Sequence, residues 1–181
     1  MYFFEFIHIL SQYIPHFLLL SIIPTIFLYI LLHIVLHKKK PLVQYFWFFC
    51  FLFYLQVLYF TTIGQRPGTG FVRHKPNFIP FIDIFQVYNM GFRKMMVQIF
   101  INLLLLAPLG FLLPVQFRKF QSFPRTVLTV LVVALLIETL QYFIGRSADI
   151  DDVIINTVGG IFGYLCFMLY TKITKWLHSL R

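Results

Sequence analysis

The chain has 181 residues, of which 60% are hydrophobic and only 12% charged, and its mean hydropathy is +0.83. A soluble domain carries about 25% charged residues, so this composition excludes an ordinary water-soluble fold and points to one integral membrane domain over residues 1–181. The net charge of +9 is spread over short loops, which argues against a nucleic-acid surface and makes it a topology signal instead. Cys50 and Cys166 both sit inside apolar runs, so free thiols are expected rather than a disulfide framework.

Residues 1–12 are aromatic and suit the membrane interface, and with Glu5 as their only charge they do not read as a signal peptide. The first expected span is 14–36, kinked by Pro24. His33 and His37 stand four apart, a possible metal pair, but beside Lys38, Lys39 and Lys40 they read better as interfacial imidazoles. The second span is 42–63, in which Gln56 is expected to bond a neighbouring helix. The loop 64–94 is rich in turn residues and basic at Arg66, Arg73, Lys75, Arg93 and Lys94. Its stretch NFIPF, residues 77–81, is oily, and Pro76 and Pro80 exclude a regular helix there. That stretch is expected to lie on, or dip into, the membrane surface.

Span three is 95–115, with Lys94, Gln98 and Asn102 recurring every fourth residue on a face expected to look into the bundle. Span four is 123–144 and carries Glu138 and Gln141 near its end. The turn GRSADID follows, where Ser147 or Asp149 is placed to cap the next helix and Asp151 and Asp152 occupy its first turn. Span five is 152–170. Along it Asp152, Asn156, Gly159 and Gly163 form one stripe, and the two glycines allow close backbone approach. Four of the six acidic residues therefore fall between 138 and 152.

The basic residues Lys38–Lys40, then Arg118, Lys119 and Arg125, then Lys172, Lys175 and Arg181 share one side by alternation, and the positive-inside rule makes it cytoplasmic. The N-terminus and the acidic turn then face outside and the C-terminus faces the cytoplasm. The basic loop 64–94 is an exception, and lipid phosphates or the aspartates are its available counter-charges. The fold class expected is an all-α polytopic bundle of five spans with a polar pocket on the extracellular side.

The pieces NFIPF (77–81), NLLLLAPLGFLLP (102–114), ETLQ (138–141) and GRSADIDDVIINTVGGIFGY (145–164) together resemble the VanZ-like family of bacterial integral membrane proteins. The resemblance implies a Gram-positive cell-envelope protein of the kind linked to teicoplanin resistance. The family's motif positions map onto Asn77, Pro80, Phe81, Asn102, Pro108, Gly110, Glu138, Gln141, Arg146, Asp149, Asp152, Asn156 and Gly160.

Three readings of the polar residues stay open. In the first they are only glue: Arg146 bridges Asp149 or Asp152, and Glu138 bonds Asn102 or Asn156. Against it, an ionised residue at the bilayer centre costs ~2.5–3.5 kcal/mol on insertion scales. In the second they bind a lipid-linked wall precursor or a lipopeptide or lipoglycopeptide. Asn77, Pro80, Phe81, Gln98, Asn102, Gln141, Arg146 and Asn156 then line the site, with membrane lipids as further partners. In the third the protein is an intramembrane enzyme on an amphiphilic lipid, with Glu138, Asp149 and Asp152 catalytic and Asp149 and Asp152 as candidate ligands of a divalent cation. No Ser-His pair and no HExxH motif supports that chemistry. No cofactor is evident. A proton-coupled transporter is less well supported, because the acids cluster at one side.

Overall fold

The computed structural model describes residues 22–27, 29–30, 42–64, 76–89 and 91–180. The expected span 14–36, its His33/His37 pair and the basic residues Arg66, Arg73 and Lys75 fall wholly or largely outside this set. The described residues are helical throughout their long elements, with no strand among them. α1 (Leu42–Tyr59) runs on into a π-helical turn, Phe60–Gly64. The short α2 (Ile82–Asn89) precedes α3 (Phe92–Gln116), α4 (Phe123–Phe143) and α5 (Ile150–Ser179). Among the described residues, four stretches are long and apolar enough to cross a membrane: Val43–Ile63, Phe92–Gln116, Phe123–Phe143 and Ile150–Ser179.

The chain divides into two compact units, Met1–Val57 and Leu58–Arg181. In the first, the Thr25 hydroxyl donates to the Gln56 side-chain carbonyl, so Gln56 does bond a neighbouring helical segment. Tyr29 meets the rings of Tyr45 and Phe49 edge-on, with centroids 6.1 and 6.2 Å apart.

The second unit is built on close backbone contact. A Cβ added to Gly159 would land on the Leu103 carbonyl, one on Gly163 on the Ala107 carbonyl, and one on Gly110 on the Gly160 carbonyl. The first two contacts advance together along both chains, so α3 and α5 run parallel. α4 runs against them: Val130 packs on Gly160, and the Phe123 ring meets Tyr164. Lipid tails give helices little hydrophobic reason to associate, so association rests on close packing and polar contacts, which small residues permit. Leu106, Val130 and Ala134 are fully buried at this junction. The α3–α4 connection is pinned by the Tyr164 hydroxyl, which donates to the Gln121 carbonyl at 2.6 Å.

Two boundaries differ from expectation. α5 continues to Ser179 rather than stopping near Tyr170, because no glycine or proline follows Gly163 to break it, while Lys172 and Lys175 can extend their charged ends to the interface. Part of the loop 64–94 is helical, as α2. The proline argument reaches only to Pro80, and nothing after it prevents a helix. NFIPF itself is irregular, as expected.

Adding a methyl group at Gly163 should press on the Ala107 carbonyl and cost about 1–3 kcal/mol. Thermal unfolding of the purified protein should therefore occur at lower temperature in Gly163→Ala, while Val158→Ala, at an exposed position, leaves the midpoint near wild type. Equal midpoints for both would show that the glycine seam is not tight.

Candidate functional site

The site starts from the way α4 ends. Gly145 adopts φ 91°, a conformation glycine reaches at little cost. Its N–H bonds the Tyr142 carbonyl at 3.1 Å, and the Arg146 N–H bonds the Gln141 carbonyl at 3.0 Å. This reverses the chain within a few residues and brings Ala148 and Asp149 out extended. Asp149 then caps α5, accepting from the Asp151 N–H at 3.0 Å.

Residues 77–84 cross over this helix start as a strap. Asn77 pairs with it as a single parallel bridge: its N–H donates to the Ala148 carbonyl at 2.9 Å, and its carbonyl accepts from the Ile150 N–H at 3.1 Å. The Asn77 side-chain NH₂ donates to Asp149 at 3.3 Å, and its oxygen accepts from the Ile79 N–H at 3.0 Å. Asp151 reaches the strap from below, accepting from the Phe81 N–H and, at 3.4 Å, from the Ile84 N–H. It thereby caps α2 from a different helix. Phe81 sits at φ 68°, a conformation that costs a non-glycine residue roughly 1–2 kcal/mol. The bond from its N–H to a carboxylate offsets part of that.

Glu138 completes the arrangement. It is 6% exposed, and its Oε2 accepts from the Asp149 N–H at 3.0 Å. No other partner holds it among the described residues, so Oε1 is left for a cavity of about 310 Å³ that Glu138 lines. Asn77 and Asp149 line the cavity too, and Phe78, Leu135, Tyr142 and Phe143 form apolar walls.

The candidate residues of the sequence fall into separate groups. Asn77, Glu138 and Asp149 meet at the cavity. Asn102 donates to Asp152 across the α3–α5 seam. Gln141 and Arg146 both donate to the Thr62 carbonyl, at 3.1 and 3.3 Å, and so hold the end of the π-helical turn rather than the cavity. Pro80 and Phe81 are exposed on the outer side of the strap, and Gln98 remains exposed because only the short α2 covers that end of α3. Asn156 is 1% exposed, and its side-chain oxygen has no hydrogen-bond partner among the described residues.

The pairings expected of a glue network are not the ones found. Arg146 bridges neither Asp149 nor Asp152, and Glu138 bonds neither Asn102 nor Asn156. Backbone N–H groups at the helix start and in the strap are nearer than those side chains, and a helix N-terminus leaves such donors unsatisfied. Among the described residues no three His, Cys, Asp or Glu groups converge to hold a metal ion. Asp149 and Asp152 instead turn to different partners, Asn77 and Asn102. Sequence reasoning overlooked Tyr142 as a cavity wall and the reach of Asp151. Tyr142, one helical turn beyond Glu138, was the readable signal.

A family described as VanZ/LLP1 matches residues 46–171, well over half of the chain. Protein VanZ of Enterococcus faecium is 39% identical over 72 residues, covering 39% of this chain and 44% of that protein. The match thus spans less than half the length of that relative. No solved structure matches the chain.

Removing the Asp151 carboxylate should free the strap. Hydrogen bonds to a charged group contribute about 1.5–3 kcal/mol, so in Asp151→Ala limited chymotrypsin digestion should cut at Phe78 or Phe81 roughly tenfold faster or more. An unchanged cleavage rate would mean that Asp151 does not hold the strap.

Proposed function

The chain belongs to the VanZ/LLP1 family, and we propose that it is a cell-envelope membrane protein that binds an amphiphile at the outer leaflet. The ligand on this reading is a lipid-linked wall precursor or a lipopeptide or lipoglycopeptide. Its capture would lower susceptibility to antibiotics of the teicoplanin type. The observation that carries the proposal is the cavity, with apolar walls and the buried Glu138 among its lining. A pocket of about 300–1,000 Å³ with few polar groups is the usual form of a small-ligand site.

Orientation supports the same reading. Arg118, Lys119 and Arg125 lie at the α3–α4 connection, and Lys172 and Lys175 lie near the end of α5, at the same end of the helices. On the positive-inside rule this end is cytoplasmic, which puts the strap and cavity at the outer face and the C-terminus inside. Counting the span 14–36, the N-terminus is then outside. Phe78, Ile79 and Phe81 remain more than half exposed on the strap, as suits a segment in contact with lipid.

An intramembrane enzyme is the competing reading, since Glu138 offers an open carboxyl oxygen to the cavity. It has little else to work with. The Thr139 hydroxyl at the cavity already donates to the Leu135 carbonyl at 2.7 Å, and neither serine nor histidine lines it among the described residues. Nucleophilic catalysis needs such a group beside a base.

Expression in a susceptible Gram-positive host tests the proposal. The wild-type chain should protect against teicoplanin but not against vancomycin, which has no acyl tail. Glu138→Gln at matched membrane expression should lose that protection. Equal protection against both drugs would remove the acyl tail from what is recognised, and a modified lipid or drug recovered from the cells would favour the enzyme.

A further inference from the structure

We infer that the cavity is entered sideways from the bilayer, past Leu135, Thr139 and Phe143 of α4, and that it takes the acyl chain of an amphiphile already resident in the leaflet on the strap side. This inference rests on the amphiphile-binding reading and names the route and the part of the ligand that enters. It starts from where the cavity lies along α4. Leu135, Glu138, Thr139, Tyr142 and Phe143 all line it, so it runs down the helix from its end. From Phe143 to Leu135 is about 12 Å at a rise of 1.5 Å per residue. α4 is apolar and of membrane length over Phe123–Phe143, so the deep end of the cavity lies within the hydrocarbon layer.

The flank and the end of the cavity differ. Leu135, Thr139 and Phe143 recur every fourth residue, so they share one face of α4, and all three are exposed. At this depth an exposed side chain meets lipid. The stripe suits that contact, because the Thr139 hydroxyl is satisfied within its own helix by the Leu135 carbonyl. Toward the water the cavity ends at the strap, whose Pro76, Asn77 and Phe78 line it. There Asn77 is bonded to Ala148, Asp149 and Ile150, at 2.9, 3.3 and 3.1 Å. A ligand arriving from water would have to part those bonds, whereas one arriving from the bilayer breaks none. An acyl chain fits the lateral route. Leu135, Phe143 and Val153 offer it apolar walls, and it carries no polar group that would need a partner at that depth. The polar end of the amphiphile then stays at the level of the strap.

Tryptophan fluorescence reads the route. Trp47 and Trp176 are the two tryptophans of the chain. With both replaced by Phe, Tyr142→Trp puts the only indole on the half-buried cavity wall. The full chain is placed in phosphatidylcholine nanodiscs whose acyl chains are either ordinary or brominated, and iodide is added to the water as a second quencher. Brominated chains should quench most of the emission and iodide little of it. Val153→Phe narrows the cavity from the α5 wall and should relieve most of the quenching by lipid. Val153 is buried, so Thr139→Phe at the exposed mouth serves as a second narrowing variant. Lipid quenching relieved by neither variant would place the acyl chain outside the cavity and overturn the inference. Strong quenching by iodide, with or without quenching by lipid, would mean that the strap does not close the water side. That result overturns lateral entry and leaves amphiphile binding standing. Quenching by neither agent would overturn amphiphile binding at this cavity as well.

Discussion

A carboxyl group inside a membrane bundle must find hydrogen-bond donors, and here most of those donors come from backbone. Glu138 takes the Asp149 N–H, Asp149 takes the Asp151 N–H, and Asp151 takes the Phe81 and Ile84 N–H groups. The chain of bonds runs from the wall of α4 through the start of α5 to the strap. Each acid is satisfied by a segment that the next acid positions. Losing one partner leaves a buried polar group unpaired, which costs more than the bond itself contributes.

That network can exist only because the helices beneath it come close together. Gly110, Gly159 and Gly163 bring the backbones of α3 and α5 into contact, and Gly160 admits the Val130 side chain of α4. The seam lies toward the cytoplasmic side of the acidic turn on the orientation proposed. Above it the helices and the strap leave room, and the cavity occupies that room. Tight packing below and backbone-held carboxyls above give an open oxygen on Glu138 a fixed place.

Much of this was legible in the sequence, and for physical reasons. Apolar runs of membrane length located α3 and α4 closely, and Asp149 was one of two residues expected to cap α5. Glycines at small spacing on α5 announced the seam. Other features depend on contacts between distant residues. That Asp151 caps a helix some seventy residues earlier has no local signature, since its position in the first turn of α5 already explains an acid there. Arg146 beside three aspartates reads as an ion pair, yet the reversal at Gly145 turns it toward the Thr62 carbonyl. The family resemblance named residues of both kinds, without distinguishing those at the cavity from those that hold the helices around it.

The central claim is that the strap is docked on the start of α5 with Glu138 beneath it. Residue-resolved amide hydrogen exchange of the wild-type protein in lipid nanodiscs tests it most directly. The Asn77, Phe81 and Asp149 amides should be strongly protected, far more than the Phe78 amide between the first two, because their partners are the Ala148 carbonyl, Asp151 and Glu138. Exchange of these three at the rate of Phe78 would mean that the strap is not held there, and the cavity it helps to form would lose its basis.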